Sequence, residues 1–94
     1  MIAKPKRIQN KRYVEWVKTH PCAVLHAHAG EVDAHHLVSR GAGGSDYTCV
    51  PLCRRAHTEY HALGISEFEE KHKANLWRDA FNYFLLWEQM RGVL

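Results

Sequence analysis

The most constraining feature of this chain is a histidine-bearing segment at residues 33–61. It begins with the adjacent pair His35 and His36, crosses a glycine-rich turn and a short apolar run, and ends with His57 and His61. Successive strand residues point to opposite faces, so a strand would separate the first two histidines. The four-residue spacing places the last two on one face of a helix. The segment predicts strand, loop, strand and helix, with three imidazoles able to meet at one metal ion and the fourth unbound.

The order of these elements resembles the HNH endonucleases, and most closely the small HNH proteins carried by phages and prophages. The resemblance rests on Ala-His-His at 34–36, Gly-Gly at 43–44, and Pro-Leu-Cys-Arg-Arg-x-His-x-x-x-His at 51–61. It implies an α+β fold whose core is the ββα-metal motif, with a short β-hairpin at its centre. That core would occupy residues 32–63 of a single HNH nuclease domain spanning residues 1–94.

The resemblance also implies a role for each histidine. His36 matches the general base, which would take a proton from the attacking water. His35, His57 and His61 match three ligands of one divalent cation that would bind the phosphate and stabilise the departing oxygen. Neutral imidazoles bind such ions well, and three protein ligands leave positions open for water or phosphate. The implied cofactor is one divalent ion, with Mg, Mn, Ni and Zn all left open.

One position departs from the family pattern. The family has an asparagine nine residues before the first helix ligand, where it helps to fix the hairpin and orient the base; here that residue is Thr48. A hydroxyl can make some of the same hydrogen bonds, so Thr48 is a catalytic candidate, with Asp46 as a stand-in. Asp33 and Glu59 are candidate hydrogen-bond partners for the ring nitrogens of the histidine ligands.

The cysteines depart from the pattern as well. Many related HNH proteins hold a structural zinc with paired Cys-x-x-Cys sequences, but Cys22 and Cys53 each lack the second member of the pair. A structural zinc normally has four protein ligands. We therefore expect no structural zinc and interpret Cys22 and Cys53 as small buried thiols. Other side chains could complete a site, namely Cys49, His26 and His28.

The composition indicates a mildly basic globular domain. The chain has 94 residues, 46% of them hydrophobic, and a formal charge of +3, which permits a polyanionic partner without requiring one. It has no apolar run near the roughly 18 residues of a membrane span and no signal-peptide segment at its start. We therefore expect no membrane partner and a cytoplasmic location in a bacterial host cell.

The expected partner is double-stranded or branched DNA. Arg40, Arg54 and Arg55 flank the histidine site and are interpreted as phosphate contacts, the alternative being ordinary surface charges. The basic arm at residues 1–9 could also contact phosphates, or it could simply be a solubilising tail.

Helices are predicted on both sides of the core. Asn10 caps an N-terminal helix at 10–20. The C-terminal helices span 66–91, the first opening with a capping box at Ser66 and the second continuing to about Met90, before a glycine. The wide apolar face of that last helix either wraps the core or supports a homodimer.

The sequence therefore predicts a metal-dependent HNH DNA endonuclease or nickase that hydrolyses phosphodiester bonds with low sequence specificity. Phage or prophage recombination, repair and packaging are its candidate settings. The alternative is a non-catalytic metal- and DNA-binding module with the same fold, which Thr48 and the incomplete cysteine pairs favour. A toxin-like nuclease domain is a third and weaker interpretation.

Overall fold

The computed structural model describes residues 6–24 and 31–93. Within these ranges it contains a two-stranded antiparallel sheet and four helices, which confirms the α+β prediction. The elements, in chain order, are α1 (Lys11–Val17), β1 (Val32–His36), β2 (Cys49–Cys53), α2 (Arg54–Leu63), α3 (Ile65–His72) and α4 (Leu76–Val93). Most of the predicted basic arm and the alternative zinc ligands His26 and His28 lie outside the described residues.

The hairpin of β1 and β2 forms the centre of the molecule. Val32 pairs with Cys53 and His36 pairs with Cys49, so β2 ends beside the start of β1. All five residues of β2 are buried, because α1, α2 and α4 pack on it. Since α2 begins at the residue after β2, its first turns lie alongside β1.

The turn at Gly43 and Gly44 requires glycine at each position for a different reason. Gly43 has a φ of 85°, in the left-handed region that glycine adopts at little cost. A Cβ on Gly44 would lie 1.8 Å from the carbonyl oxygen of Val38, so no larger residue fits there. The Gly44 N–H donates to the Ser39 carbonyl, which closes the turn. Two short 3-10 turns, Arg40–Ala42 and Asp46–Thr48, complete the loop.

Two apolar clusters make up the core. The first joins the hairpin to α2, α3 and α4 through buried side chains that include Leu52, Phe68 and Leu76. The second lies under α1, where Tyr13 and Val17 pack against Cys49 of β2. This packing stabilises the fold by removing apolar surface from water, and it fixes α1 against the hairpin.

The N-terminal helix is shorter than predicted. Asn10 caps it as expected, its side-chain oxygen accepting from the Tyr13 N–H at 3.0 Å. However, α1 ends at Val17, and residues 18–20 form turns, so the predicted range 10–20 was wrong at its C-terminal end. The reason is that the Thr19 N–H bonds the Trp16 carbonyl, three residues back, and its hydroxyl bonds the same oxygen.

The C-terminal helices also differ from the prediction at their ends. Gly64, with a φ of 81°, ends α2 and begins α3 without a linker, so Ser66 lies inside the first turn and the predicted capping box was wrong. Asn75 caps α4, accepting from the Arg78 N–H at 3.0 Å. The helix then continues through Gly92 to Val93, because one glycine lowers helix stability without ending it.

The apolar face of α4 divides into a buried and an exposed part. Leu76 and Ala80 are buried in the first core cluster, and Trp87 packs on the second. Other large side chains of the same helix stay exposed, among them Trp77 at 47% and Phe81 at 59%. The homodimer through this helix stays a prediction. No helix in the described part of the chain is both long and apolar enough to cross a membrane.

Candidate metal centre

Three histidines from two elements meet beside the hairpin. His35 comes from β1, and His57 and His61 come from successive turns of α2. One candidate ligand atom of each lies within 4.8 Å of the others, and His35 Nδ1 is 3.1 Å from His57 Nε2. Nitrogen ligands lie about 2.0–2.1 Å from a zinc ion, which puts neighbouring ligands roughly 3–3.5 Å apart. The shortest nitrogen pair matches this spacing, and the three residues predicted as ligands form a group that could hold one metal ion.

His35 is the buried member of this three-histidine cluster. Its residue is 6% exposed, and its Nε2 is buried without a hydrogen-bond partner among the described residues. Burial, followed by the charges of His57, His61 and His36, lowers the pKa of His35 to about 4. The ring is therefore neutral at physiological pH, the state in which imidazole binds a metal. Its Nδ1, which lies 3.1 Å from His57 Nε2, is the nitrogen that faces the second ring of the cluster.

Asp33 holds one of the cluster rings in place. Its Oδ2 lies 3.1 Å from His57 Nδ1. A proton on that nitrogen donates to the carboxylate, which leaves the lone pair of Nε2 directed at His35. The predicted contact of Asp33 with a histidine ring nitrogen is confirmed. Glu59, in contrast, pairs with Lys71 and His72 of α3, so its predicted contact with a ligand ring was wrong.

Tyr60 forms a wall of the cluster that sequence analysis missed. Its ring centroid lies 4.1 Å from that of His35 and 5.5 Å from that of Phe68 in the core. Its position three residues after His57 on α2 was the available signal, because residues three apart share a helix face. Tyr60 joins the cluster to the apolar core and shields His35 from water.

On the other side of β1, His36 has different neighbours. It lies outside the three-histidine cluster, and its Nε2 is 2.8 Å from Asp46 Oδ1. Asp46 is 5% exposed and also accepts from the Arg7 guanidinium at 2.8 Å and from the Asn10 N–H at 2.7 Å. Sequence analysis missed Arg7 and Asn10 as members of this Asp46 network.

The Asp46 network keeps the carboxylate charged. Burial would raise the pKa of Asp46, but hydrogen bonds from His36 and the Asn10 backbone, together with the Arg7 charge, bring it below its usual range. A charged carboxylate on Nε2 favours the tautomer of His36 that carries its proton there. Nδ1 then has the lone pair, and no described residue hydrogen-bonds to it.

Thr48 lies near this network but makes other bonds. Its hydroxyl donates to the Ser45 carbonyl at 2.7 Å, and its own carbonyl accepts from the Leu37 N–H at 3.1 Å. Thr48 therefore ties the loop to the end of β1, while the residue in contact with His36 is Asp46. Asp46, the alternative to Thr48 named from the sequence, is therefore the residue that orients the ring of His36.

The three candidate DNA-contacting arginines have different surroundings. Arg54 pairs with Glu31 at 3.1 Å and with Asp33 at 3.1 Å, so its charge is largely balanced. Arg40 and Arg55 are exposed and take part in none of the described ion pairs. Arg40 and Arg55 are therefore the better placed of the three to meet a phosphate.

The cysteines lie in the apolar core. Cys22 and Cys53 belong to the first cluster, and Cys49 belongs to the second. Cys53 Sγ also accepts from the Ala56 N–H at the start of α2. Among the described residues, the group with metal-ligand spacing contains the three histidines and no cysteine. The expected absence of a structural zinc stays a prediction.

Fold and site together define a small α+β domain whose hairpin and following helix present a three-histidine cluster suited to a metal ion. The chain belongs to the family described as "Protein of unknown function (DUF968)", which it matches over residues 1–85, a range that includes the whole candidate site. The "Uncharacterized protein YdfU" of Escherichia coli (strain K12) is 38% identical over 80 residues, 80% of this chain and 22% of that protein. The chain thus spans about a fifth of that relative's length. No solved structure matches significantly.

Proposed function

We propose that this chain is a metal-dependent DNA endonuclease or nickase of the HNH type, in which β1, β2 and α2 form a ββα-metal core. The observation that carries the proposal is the approach of ligand atoms of His35, His57 and His61 to within 4.8 Å of one another. The residue after His35 on β1 is His36, whose ring contacts the carboxylate of Asp46. A metal-binding cluster and an oriented base are the two groups that hydrolysis of a phosphodiester requires.

The three histidines would hold one divalent cation, with Asp33 fixing the ring of His57. When bound, the cation would supply Lewis-acid stabilisation of charge on the phosphate and the leaving oxygen. Three neutral nitrogen ligands suit Ni²⁺ or Zn²⁺, whereas Mg²⁺ prefers oxygen ligands. We therefore favour Ni²⁺, Zn²⁺ and, after them, Mn²⁺ over Mg²⁺.

His36 is proposed as the general base. Asp46 binds Nε2 of its ring at 2.8 Å, so Nδ1 is the nitrogen that would take a proton from the attacking water. Asp46 is a positioning residue, since it acts through the ring. Arg7 and Asn10 keep the carboxylate in place, which links the N-terminal segment to the proposed chemistry.

The proposed substrate is duplex or branched DNA, met by the exposed side chains of Arg40 and Arg55. Among the described residues, no element stands apart from the core as a module for reading base edges, and we therefore propose low sequence specificity. A role in recombination, repair or packaging of a phage or prophage genome is proposed by analogy with small HNH proteins.

A plasmid-nicking assay tests the proposal. Supercoiled plasmid is incubated with the purified chain and Ni²⁺, Zn²⁺, Mn²⁺ or Mg²⁺, beside His36→Ala. We expect nicking by the wild type and a loss of roughly 10²–10⁴-fold in the variant, the usual contribution of a general base. His72→Ala removes an imidazole that pairs with Glu59 outside the site and serves as the control.

The alternative function gives the opposite result in the same assay. A non-catalytic metal- and DNA-binding module would bind plasmid and metal but cleave with none of the four ions. Cleavage that persists unchanged in His36→Ala would also contradict the proposal, since it would place the chemistry elsewhere.

A further inference from the structure

A basic groove runs beside α1 and is lined in part by Asp46, the residue that contacts His36. It encloses about 660 Å³. We define the α1 groove by its charged lining, which consists of the cations Arg7, Lys11, Lys18 and Arg40 and the acids Glu15 and Asp46. None of the functional assignments above accounts for Lys11 or Lys18.

Two of the four cations keep their charge unbalanced. Arg7 is paired with Asp46 at 2.8 Å, and Lys18 approaches the exposed carboxylate of Glu15 only to 3.5 Å. Lys11 and Arg40 take part in no described ion pair. A concave surface lined by unbalanced positive charge attracts a polyanion, because the surrounding protein focuses the field into the groove.

The spacing of the lysines suits a nucleic-acid backbone. Lys11 begins α1 and Lys18 is its C-cap in a helical conformation, so the two lysines are seven residues, or about two helical turns, apart. At 1.5 Å per residue they are separated by about 10 Å along the helix axis, which is roughly the rise of three base pairs. The opposite face of α1 is fixed in the core by Tyr13 and Val17, so the lysines stand on a rigid support.

The α1 groove is also continuous with the proposed active site. Asp46 lines the groove and at the same time binds Nε2 of His36. Arg40 forms part of the groove from the loop between the strands. A backbone lying along α1 would therefore pass beside the residue that orients the proposed base.

We infer that the α1 groove binds the sugar-phosphate backbone of duplex DNA through Lys11, Lys18 and Arg40 and leads it past His36. This inference rests on the proposed function, which makes a phosphodiester the group that must reach the site. It adds a binding surface to the arginines that flank the histidines, and it assigns α1 a role beyond packing.

Fluorescence anisotropy of a labelled 20-base-pair duplex tests the groove, with EDTA present so that no cleavage occurs. The affinities of the wild type and of Lys11→Gln/Lys18→Gln are measured over a series of NaCl concentrations. Each lost phosphate contact lowers the slope of log K against log salt by about one. We expect the double variant to lose about two units of slope and, at low salt, roughly tenfold or more in affinity.

The matched control is Lys73→Gln/Arg78→Gln, which removes the same charge from residues lining a separate cavity with Ala23 and Val24. We expect its salt slope to stay at the wild-type value. Arg40→Gln, on the far side of the α1 groove, should lose about one unit of slope. Melting temperatures of all variants are compared, and the exposed positions of Lys11, Lys18 and Arg40 predict native values.

Three outcomes would overturn the inference. They are an unchanged slope in the groove variant, an equal loss of slope in the control, and tighter binding of duplex RNA than of duplex DNA. The plasmid assay separates the two proposals. Groove-dependent DNA binding without cleavage in any metal leaves the inference standing and refutes the nuclease. DNA cleavage by the wild type, together with unchanged DNA binding by Lys11→Gln/Lys18→Gln, would refute the groove inference and leave the proposed nuclease standing.

Discussion

His35 and His36 are neighbours on one strand, yet their surroundings have little in common. His35 packs against two other imidazoles and the ring of Tyr60, and its Nε2 has no hydrogen-bond partner among the described residues. His36 contacts a buried, charged carboxylate that two further residues hold in place. Strand alternation alone creates this difference, because it directs consecutive side chains to opposite faces.

One residue type thus has two different environments in a small domain, and the proposed function gives each environment its own role. Burial and the neighbouring imidazoles lower the pKa of His35, which leaves its ring neutral, the state in which imidazole binds a cation. An imidazole with a carboxylate on one nitrogen has its tautomer fixed and its other nitrogen available. The two environments are independent if a change on one face of β1 leaves the properties of the other face intact.

The largest expected effect belongs to Asp46→Asn. The neutral amide no longer fixes the tautomer of His36, so we expect the nicking rate to fall by roughly 10²-fold or more. The fall should appear in kcat with little change in KM, because Asp46 acts through the base. Metal affinity should stay within about threefold of the wild type, since the ligands lie on the other face of β1.

Metal affinity measured by calorimetry in Asp46→Asn is the accompanying control. A fall in metal affinity as large as the fall in nicking rate would contradict a separate role for each face. It would indicate that Asp46 supports the whole hairpin.

The glycine turn offers the next test. Gly44→Ala places a Cβ 1.8 Å from the Val38 carbonyl oxygen, whereas Gly41→Ala meets nothing within 4 Å. We expect a loss of about 2–3 kcal/mol of unfolding free energy for the first and under about 0.5 kcal/mol for the second. Urea denaturation followed by circular dichroism measures both. Equal stability of the two variants would show that the turn relaxes without disturbing Asp46.

A smaller effect is expected for Asp33→Asn. The amide is a weaker acceptor for the His57 Nδ1 proton, and removal of such a partner typically lowers metal affinity 10–100-fold. We expect a change near the lower limit, about tenfold, because His57 is only partly buried. Titration with Ni²⁺ gives the value. Glu59→Gln, which alters an acid paired with α3 residues, should leave metal affinity unchanged.

The smallest effect concerns Cys49, which pairs with His36 across the hairpin. It is 0% exposed, and burial, followed by the charge of Asp46, raises the pKa of its thiol to about 12. At pH 8 only about one thiol in ten thousand is then ionised, so iodoacetamide should not label it in the folded protein. Peptide mass spectrometry before and after unfolding measures this. Rapid labelling of native protein would indicate that the hairpin opens on the His36 side.

Local spacing explains which parts of this account could be predicted from sequence. His57 and His61 share a helix face because they are four residues apart, and the hairpin follows from a turn flanked by apolar runs. The described strands and following helix begin and end at the limits of the predicted range 32–63. These features depend on contacts between residues near in sequence.

The remaining features depend on contacts that spacing does not encode. The bonds of Asp46 to Arg7 and Asn10 join residues 39 and 36 positions apart through an irregular loop. Glu59 pairs with His72, and not with a ligand ring, because α3 packs beside α2. The early end of α1 depends on the bonds of Thr19 to the Trp16 carbonyl, and the apolar spacing of the helix does not reveal them. Gly92 stays helical because one glycine lowers helix stability without ending the helix.

Metal titration of three proteins shows whether the ion depends on one face of β1 and not on the other. Calorimetry with Ni²⁺ or Zn²⁺ compares the wild type, His57→Ala and His36→Ala at neutral pH. We expect the wild type and His36→Ala to bind one ion per chain with affinities within about threefold of each other. We expect His57→Ala to lose at least about 100-fold in metal affinity. An equal loss of metal affinity in both variants, or undiminished metal binding by His57→Ala, would contradict separate roles for the two faces of β1.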